Sequence, residues 1–147
     1  MAYRLSIIAL AIVSISFQME ATAFADGIEP GLWKVVTQPE SDGAVGPPHE
    51  STKCLTQEQV QDLPTTFSPV ASTINSECAP MERNMEGGKL SWHLVCKGQI
   101  NIELRGEFNF DNPHHYTGVV QTRAAMAGML ANESKSLIEG KWVSACP

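Results

Sequence analysis

The chain has 147 residues, with 10 Lys and Arg against 16 Asp and Glu and a formal net charge of −6. A mildly acidic chain with no Lys/Arg cluster is not built to hold phosphate backbones, which argues against nucleic acid as a partner. The length suits a single hydrophobic core, and no segment approaches the ~20 consecutive apolar residues of a membrane-spanning helix.

The first residues have the pattern of an export leader. Arg4 precedes an apolar run from Leu5 to Phe17 that is broken only by serines, and Ala23-Phe24-Ala25 supplies the small-x-small cleavage pattern. Cleavage is expected after Ala25, so that residues 1–25 are a signal peptide and residues 26–147 a single disulfide-stabilised β domain. The expected location is the periplasm, with full secretion as the alternative. The leader carries one charge of each sign, Arg4 and Glu20, so its removal leaves the net charge unchanged. All four cysteines, Cys54, Cys78, Cys96 and Cys146, follow the cleavage site. An even count in an exported chain reads as two disulfides, and the absence of a C-x-x-C argues against a zinc knuckle or a thioredoxin-like pair.

Residues 31–37 (GLWKVVT) have strand composition, and after a Gly/Pro/Ser loop His49 to Cys54 can pair back on them. Thr56 and Gln59 are spaced as a capping box, with Leu55 and Val60 as its hydrophobic staple, and Pro64 should stop this helix after about two turns. Residues 64–76 read as a Pro/Ser/Thr-rich connection. Glu86-Gly87-Gly88 is a turn signal, and a turn centred on Gly87 sets Cys78 opposite Cys96. That geometry favours the pairs Cys78–Cys96 and, by remainder, Cys54–Cys146; Cys54–Cys78 with Cys96–Cys146 is the rival. In the next strand Leu90, Trp92, Leu94 and Cys96 share a face. Ile100, Ile102, Leu104, Phe108 and Phe110 then alternate with Asn101, Glu103, Arg105, Glu107 and Asn109, a strong strand signal. A turn at Asp111-Asn112-Pro113 leads to a strand from Tyr116 to Arg123. Ala124 to Asn132 reads as a connection, and a last strand carries Ile138, Gly140, Trp142 and Cys146 on one face. The expected fold is mainly β: an antiparallel meander of six or seven strands, half-barrel-like, with one short α-helix.

Few residues invite chemistry. His114 and His115, with His49 or His93, are the candidate metal ligands, but adjacent strand residues point to opposite faces and the spacing lacks a ligand motif, so no metal is expected. Trp33, Trp92, Tyr116 and Trp142 are candidate walls of an aromatic ligand pocket, against the alternative that they are core. Glu103 and Glu107 lie about 13 Å apart along an extended strand, too far for a glycosidase pair. No G-x-S-x-G, H-E-x-x-H or phosphate-cradling loop occurs.

The segments PGLWKV (30–35), KCLTQEQ (53–59), the Cys78…GGKLSWHLVCKG block, Tyr116-Thr117-Gly118 and the terminal GKWVSAC extend over nearly the whole exported part. In that order they resemble a family of small exported bacterial proteins catalogued as domain of unknown function 3617. The resemblance implies export and a two-disulfide β domain, and it brings no catalytic residues. The expected function is non-catalytic binding in the periplasm by a monomer without cofactor, its partner a small apolar ligand or another envelope protein. Inhibition of a cell-envelope enzyme through an exposed loop at residues 38–48 is the first alternative. A hydrolase or metal-dependent enzyme is the second.

Overall fold

The computed structural model describes residues 27–70 and 77–147, so the leader expected at residues 1–25 lies outside the described residues. The alternation that begins at Leu90 folds into an antiparallel meander. Its strands are β6 (Lys89–Lys97), β7 (Ile100–Asn112), β8 (His115–Met126) and β9 (Met129–Ser144), each paired with the next. β9 then pairs with β1 (Gly31–Ser41), so the last strand lies beside the first. Beyond β1 lie β2 (Ala44–Val45) and β3 (His49–Leu55); beyond β6 lie β4 (Glu77–Cys78) and β5 (Glu82–Glu86). The result is one open antiparallel sheet of nine strands among the described residues, two of them only two residues long. It is mainly β, as the alternation demands, and it does not close into a barrel.

Three local readings of the sequence change. The first concerns the helix. Thr56 and Gln59 do form a capping box, with Thr56 Oγ1 accepting from the Gln59 amide at 3.3 Å and Gln59 Oε1 accepting from the Thr56 amide at 2.9 Å. The helix α1 (Gln57–Gln61) follows, and Leu55 and Val60 are both buried. Pro64, however, starts a second turn instead of ending the first. Asp62 Oδ1 accepts from the Thr65 amide at 3.1 Å, and Pro64 sits in the first turn of α2 (Leu63–Thr66), where no intrahelical N–H is needed. Among the described residues there are therefore two short helices, not one.

The second change is at the end of the meander. Ala124 to Asn132 is not a connection but a hairpin, with Ala124 opposite Asn132, Met126 opposite Met129 and a register shift between Ala124 and Ala125. The third concerns the route to a disulfide. The β5–β6 turn is the two-residue Gly87-Gly88, both at positive φ, closed by Glu86 opposite Lys89, so it centres between the two glycines. That register alone would miss the cysteine pair by one residue. Between Ala79 and Glu82 the register shifts, and Cys78 does face Cys96. The disulfides are Cys78–Cys96 and Cys54–Cys146, the latter spanning a sequence separation of 92. By chain entropy that longer closure contributes roughly 4–5 kcal/mol.

One face of the sheet carries the core: Trp33, Leu90, Trp92, Leu94, Phe108, Phe110 and Tyr116 are all buried. Ile100, read as inward, stands at the start of β7 and is exposed instead. Three aromatic rings lie over glycines directly across a strand pair: Trp92 over Gly106, Phe108 over Gly118 and Tyr116 over Gly140. A Cβ at any of these glycines would overlap the ring. The helices and Phe67 cover this layer. The Phe67 ring meets those of Phe108, Phe110 and Tyr116 edge-on at 5.2, 5.1 and 5.0 Å. Each indole N–H fastens a covering segment by donating to a backbone carbonyl. Trp92 donates to Phe67 at 2.9 Å, Trp33 to Glu29 at 3.1 Å and Trp142 to Pro30 at 3.1 Å.

This packing sets two expectations for stability. Phe108→Ala should destabilise the fold by about 3–5 kcal/mol, as large-to-small core changes do. Gly106→Ala should cost about 1–3 kcal/mol by driving the Trp92 indole off its site. Thermal or denaturant melts check both, and a Phe108→Ala protein that melts like wild type would place Phe108 at a ligand space, not in the core.

Candidate functional site

The four aromatic residues considered for a pocket all sit on the apolar face. Trp33, Trp92 and Tyr116 are 0%, 5% and 3% exposed, and Trp142 is partly buried. The structure brings Trp33 and Tyr116 together at 5.3 Å between ring centroids, while Trp142 lies against the His114 ring at 5.0 Å. Burial pushes the Tyr116 phenol up to about 12, so it stays neutral at physiological pH. Tyr116 packs against the Phe67 ring at 5.0 Å, and Trp92 lies beneath the Phe67 carbonyl to which it donates.

Three of the four histidines lie beside separate carboxylates. His114 Nε2 lies 3.1 Å from Glu29, and His93 Nε2 lies 2.9 Å from Glu103. His115 is held on both sides, Nδ1 at 2.9 Å from Asp111 and Nε2 at 3.0 Å from Glu139, and Glu139 also takes the Lys141 ammonium at 2.9 Å. The hydrogen bond to Asp111, then that to Glu139, raises the His115 pKa above its ordinary value. Lys141, then His115, holds Glu139 below the usual carboxylate range, and Arg105, then His93, does the same for Glu103. His49 stands apart at the start of β3. Among the described residues no group of three or more His, Cys, Asp or Glu side chains is placed to hold a metal ion. Nor do residues 38–48 form a free loop. β1 runs on to Ser41 against β9, and the chain reverses tightly at Asp42-Gly43 into β2.

The sheet face turned away from the helices holds an open cleft of about 780 Å³ across β5 to β8, walled by Asn84, Ser91, Glu107, Asn109, Thr117 and Val119. Period-two alternation puts these side chains on the polar face, and the registers Ser91 to Glu107 and Asn109 to Thr117 line them up. Glu86 and Lys89 also line the cleft, and among the described residues none of these seven polar side chains hydrogen-bonds or ion-pairs with another. Elsewhere on this face several charges are committed: Glu103 to Arg105 and His93, Arg123 to Glu133, Lys135 to Glu40, Lys34 to Glu50. Glu103 and Glu107, alike in sequence, thus differ: Glu103 is locked in a cluster, while Glu107 faces the cleft unpaired. Sequence reasoning missed the cleft because its residues read as a solvated strand face. Only the cross-strand register assembles them.

The family model described as protein of unknown function DUF3617 matches residues 28–146, and the chain belongs to that family. No curated protein and no solved structure matches it.

The His115 cluster carries a pH dependence of defined sign. Its pKa is raised on folding, so its contribution is complete below the ordinary value of 6.5 and is lost as pH rises through the folded value. The melting temperature of wild type should therefore exceed that of His115→Gln by more near pH ~5.5 than near pH ~9. Equal differences at the two pH values would contradict the bridged geometry.

Proposed function

We propose that this protein is a non-catalytic binding protein of the periplasm, and that the polar sheet face is its recognition surface. The observation that carries this reading is the group of uncommitted side chains in the cleft: Asn84, Ser91, Glu107, Asn109 and Thr117 offer donors and acceptors on a rigid sheet. Apolar ligands are less suited to this protein, since on the other face Trp33 and Phe108 are buried and a ligand would have to displace them. Among the described residues the ionisable clusters of Glu103 and His115 are occupied with one another, which favours binding over catalysis. Export is supported by the leader pattern at residues 1–25 and by two disulfides, which persist in oxidising compartments.

Two measurements test this. The protein recovered from the periplasmic fraction should begin at Asp26 by mass; a cytoplasmic protein retaining residues 1–25 would overturn the export reading. In a pull-down from envelope extract, Glu107→Ala combined with Asn109→Ala should reduce capture of the wild-type partner about tenfold. Both residues are exposed, so stability should stay within about 0.5 kcal/mol. Undiminished capture by the double variant would place recognition elsewhere.

A further inference from the structure

One end of the sheet gathers three exposed apolar side chains. Ile100, Met126 and Met129 lie opposite one another across β7, β8 and β9, at 42%, 54% and 73% exposure. They belong to the hairpin in which Ala124 to Asn132 is a run of nine residues without a charge. Its turn, Ala127-Gly128, has positive φ at both positions, 52° and 78°. The β1–β2 hairpin makes the same kind of turn with Asp42-Gly43, at 51° and 79°. Asp tolerates this left-handed conformation better than alanine does. At the β8–β9 tip the sequence keeps an apolar residue in spite of that local cost.

We propose that this hairpin end, with Ile100 beside it, is a lipid-contacting edge that seats into the headgroup–acyl boundary of a bilayer. This inference is independent of the cleft. Four features favour a lipid surface over a protein groove as occupant. The backbone is paired to the tip, Ala125 with Leu130 and Met126 with Met129, so insertion leaves few unsatisfied peptide groups. The first charges met on the two strands, Arg123 and Glu133, are already ion-paired at 3.2 Å. From that pair to the turn is four residues, about 13 Å of strand, which covers the ~5–10 Å depth of interfacial insertion. Finally, Lys97 is exposed at the end of the neighbouring strand β6, across from Glu77, and its long stem can carry the ammonium toward anionic headgroups. Methionine also suits a fluid apolar phase, being flexible and polarisable.

The test is co-sedimentation of the protein purified from its host, its N-terminus fixed by mass, with vesicles of phosphatidylethanolamine and phosphatidylglycerol. Wild type should partition to the vesicles, and Met126→Asp with Met129→Asp should lower partitioning about tenfold or more while leaving the melting temperature unchanged. If the double variant melts early, Met129→Ser replaces it, with a smaller loss in the same direction expected. Wild type that stays in the supernatant overturns the proposal, as does a folded variant that binds equally well. A wild-type dimer that the variant converts to monomer would assign the surface to a second copy of the chain and also overturn it.

Discussion

The sheet depends on a stagger between aromatic rings and glycines. Trp92, Phe108 and Tyr116 each lie across a strand boundary over a residue with no side chain, and each step moves one strand along the meander. A ring lying flat on its neighbour strand stays close to the sheet, so two short helices and Phe67 suffice to cover it. With larger residues at Gly106, Gly118 and Gly140 the rings would stand away from the sheet and need a thicker cover. The stagger also fixes register, because a slip of one residue would set a ring against a side chain pointing to the other face.

An open sheet leaves two edges, and the protein treats them alike. Cys54 on β3 ties one edge to the chain end, and Cys78 on β4 ties the other to β6. β3 is short and exposes His49, Glu50 and Lys53, while Pro80 interrupts the opposite edge between β4 and β5. Charge, proline and brevity all discourage further strands from adding. With its edges closed in this way, the polar face and the apolar hairpin end are left as the surfaces available for contact.

Much of the fold was legible because strand alternation is a strong local signal. From Leu90 to Phe110 it assigned the buried face almost residue by residue, and Thr56 with Gln59 announced the cap. The misreadings came where local signals are silent or misleading. Pro64 has the same residue type whether it ends one turn or starts the next, and only the Asp62 side chain decides between them. The Cys78–Cys96 pair was inferred from a turn centre that proved half a residue off, and a register shift at Pro80-Met81 restored it. Phe67, at the centre of the aromatic cluster, lay in a stretch without periodicity. Its importance comes from where α2 delivers it. Ile100 follows the alternation yet lies past the reach of the helices. The cleft was the least legible of all, since its residues come from four strands and acquire a shared location only through pairing.

The neighbourhood of β1 and β9 has a consequence for how the protein is made. A chain that emerges from its N-terminus first presents Trp33 long before Trp142, its partner across the β1–β9 ladder, and Cys54 well before Cys146. Until the final residues arrive, β1 has only the edge strands β2 and β3 beside it. Completion of the sheet thus waits for β9, the order of events expected when most contacts are distant in sequence. Up to that point the chain holds β1 to β8 without the ladder that joins its first strand to its last.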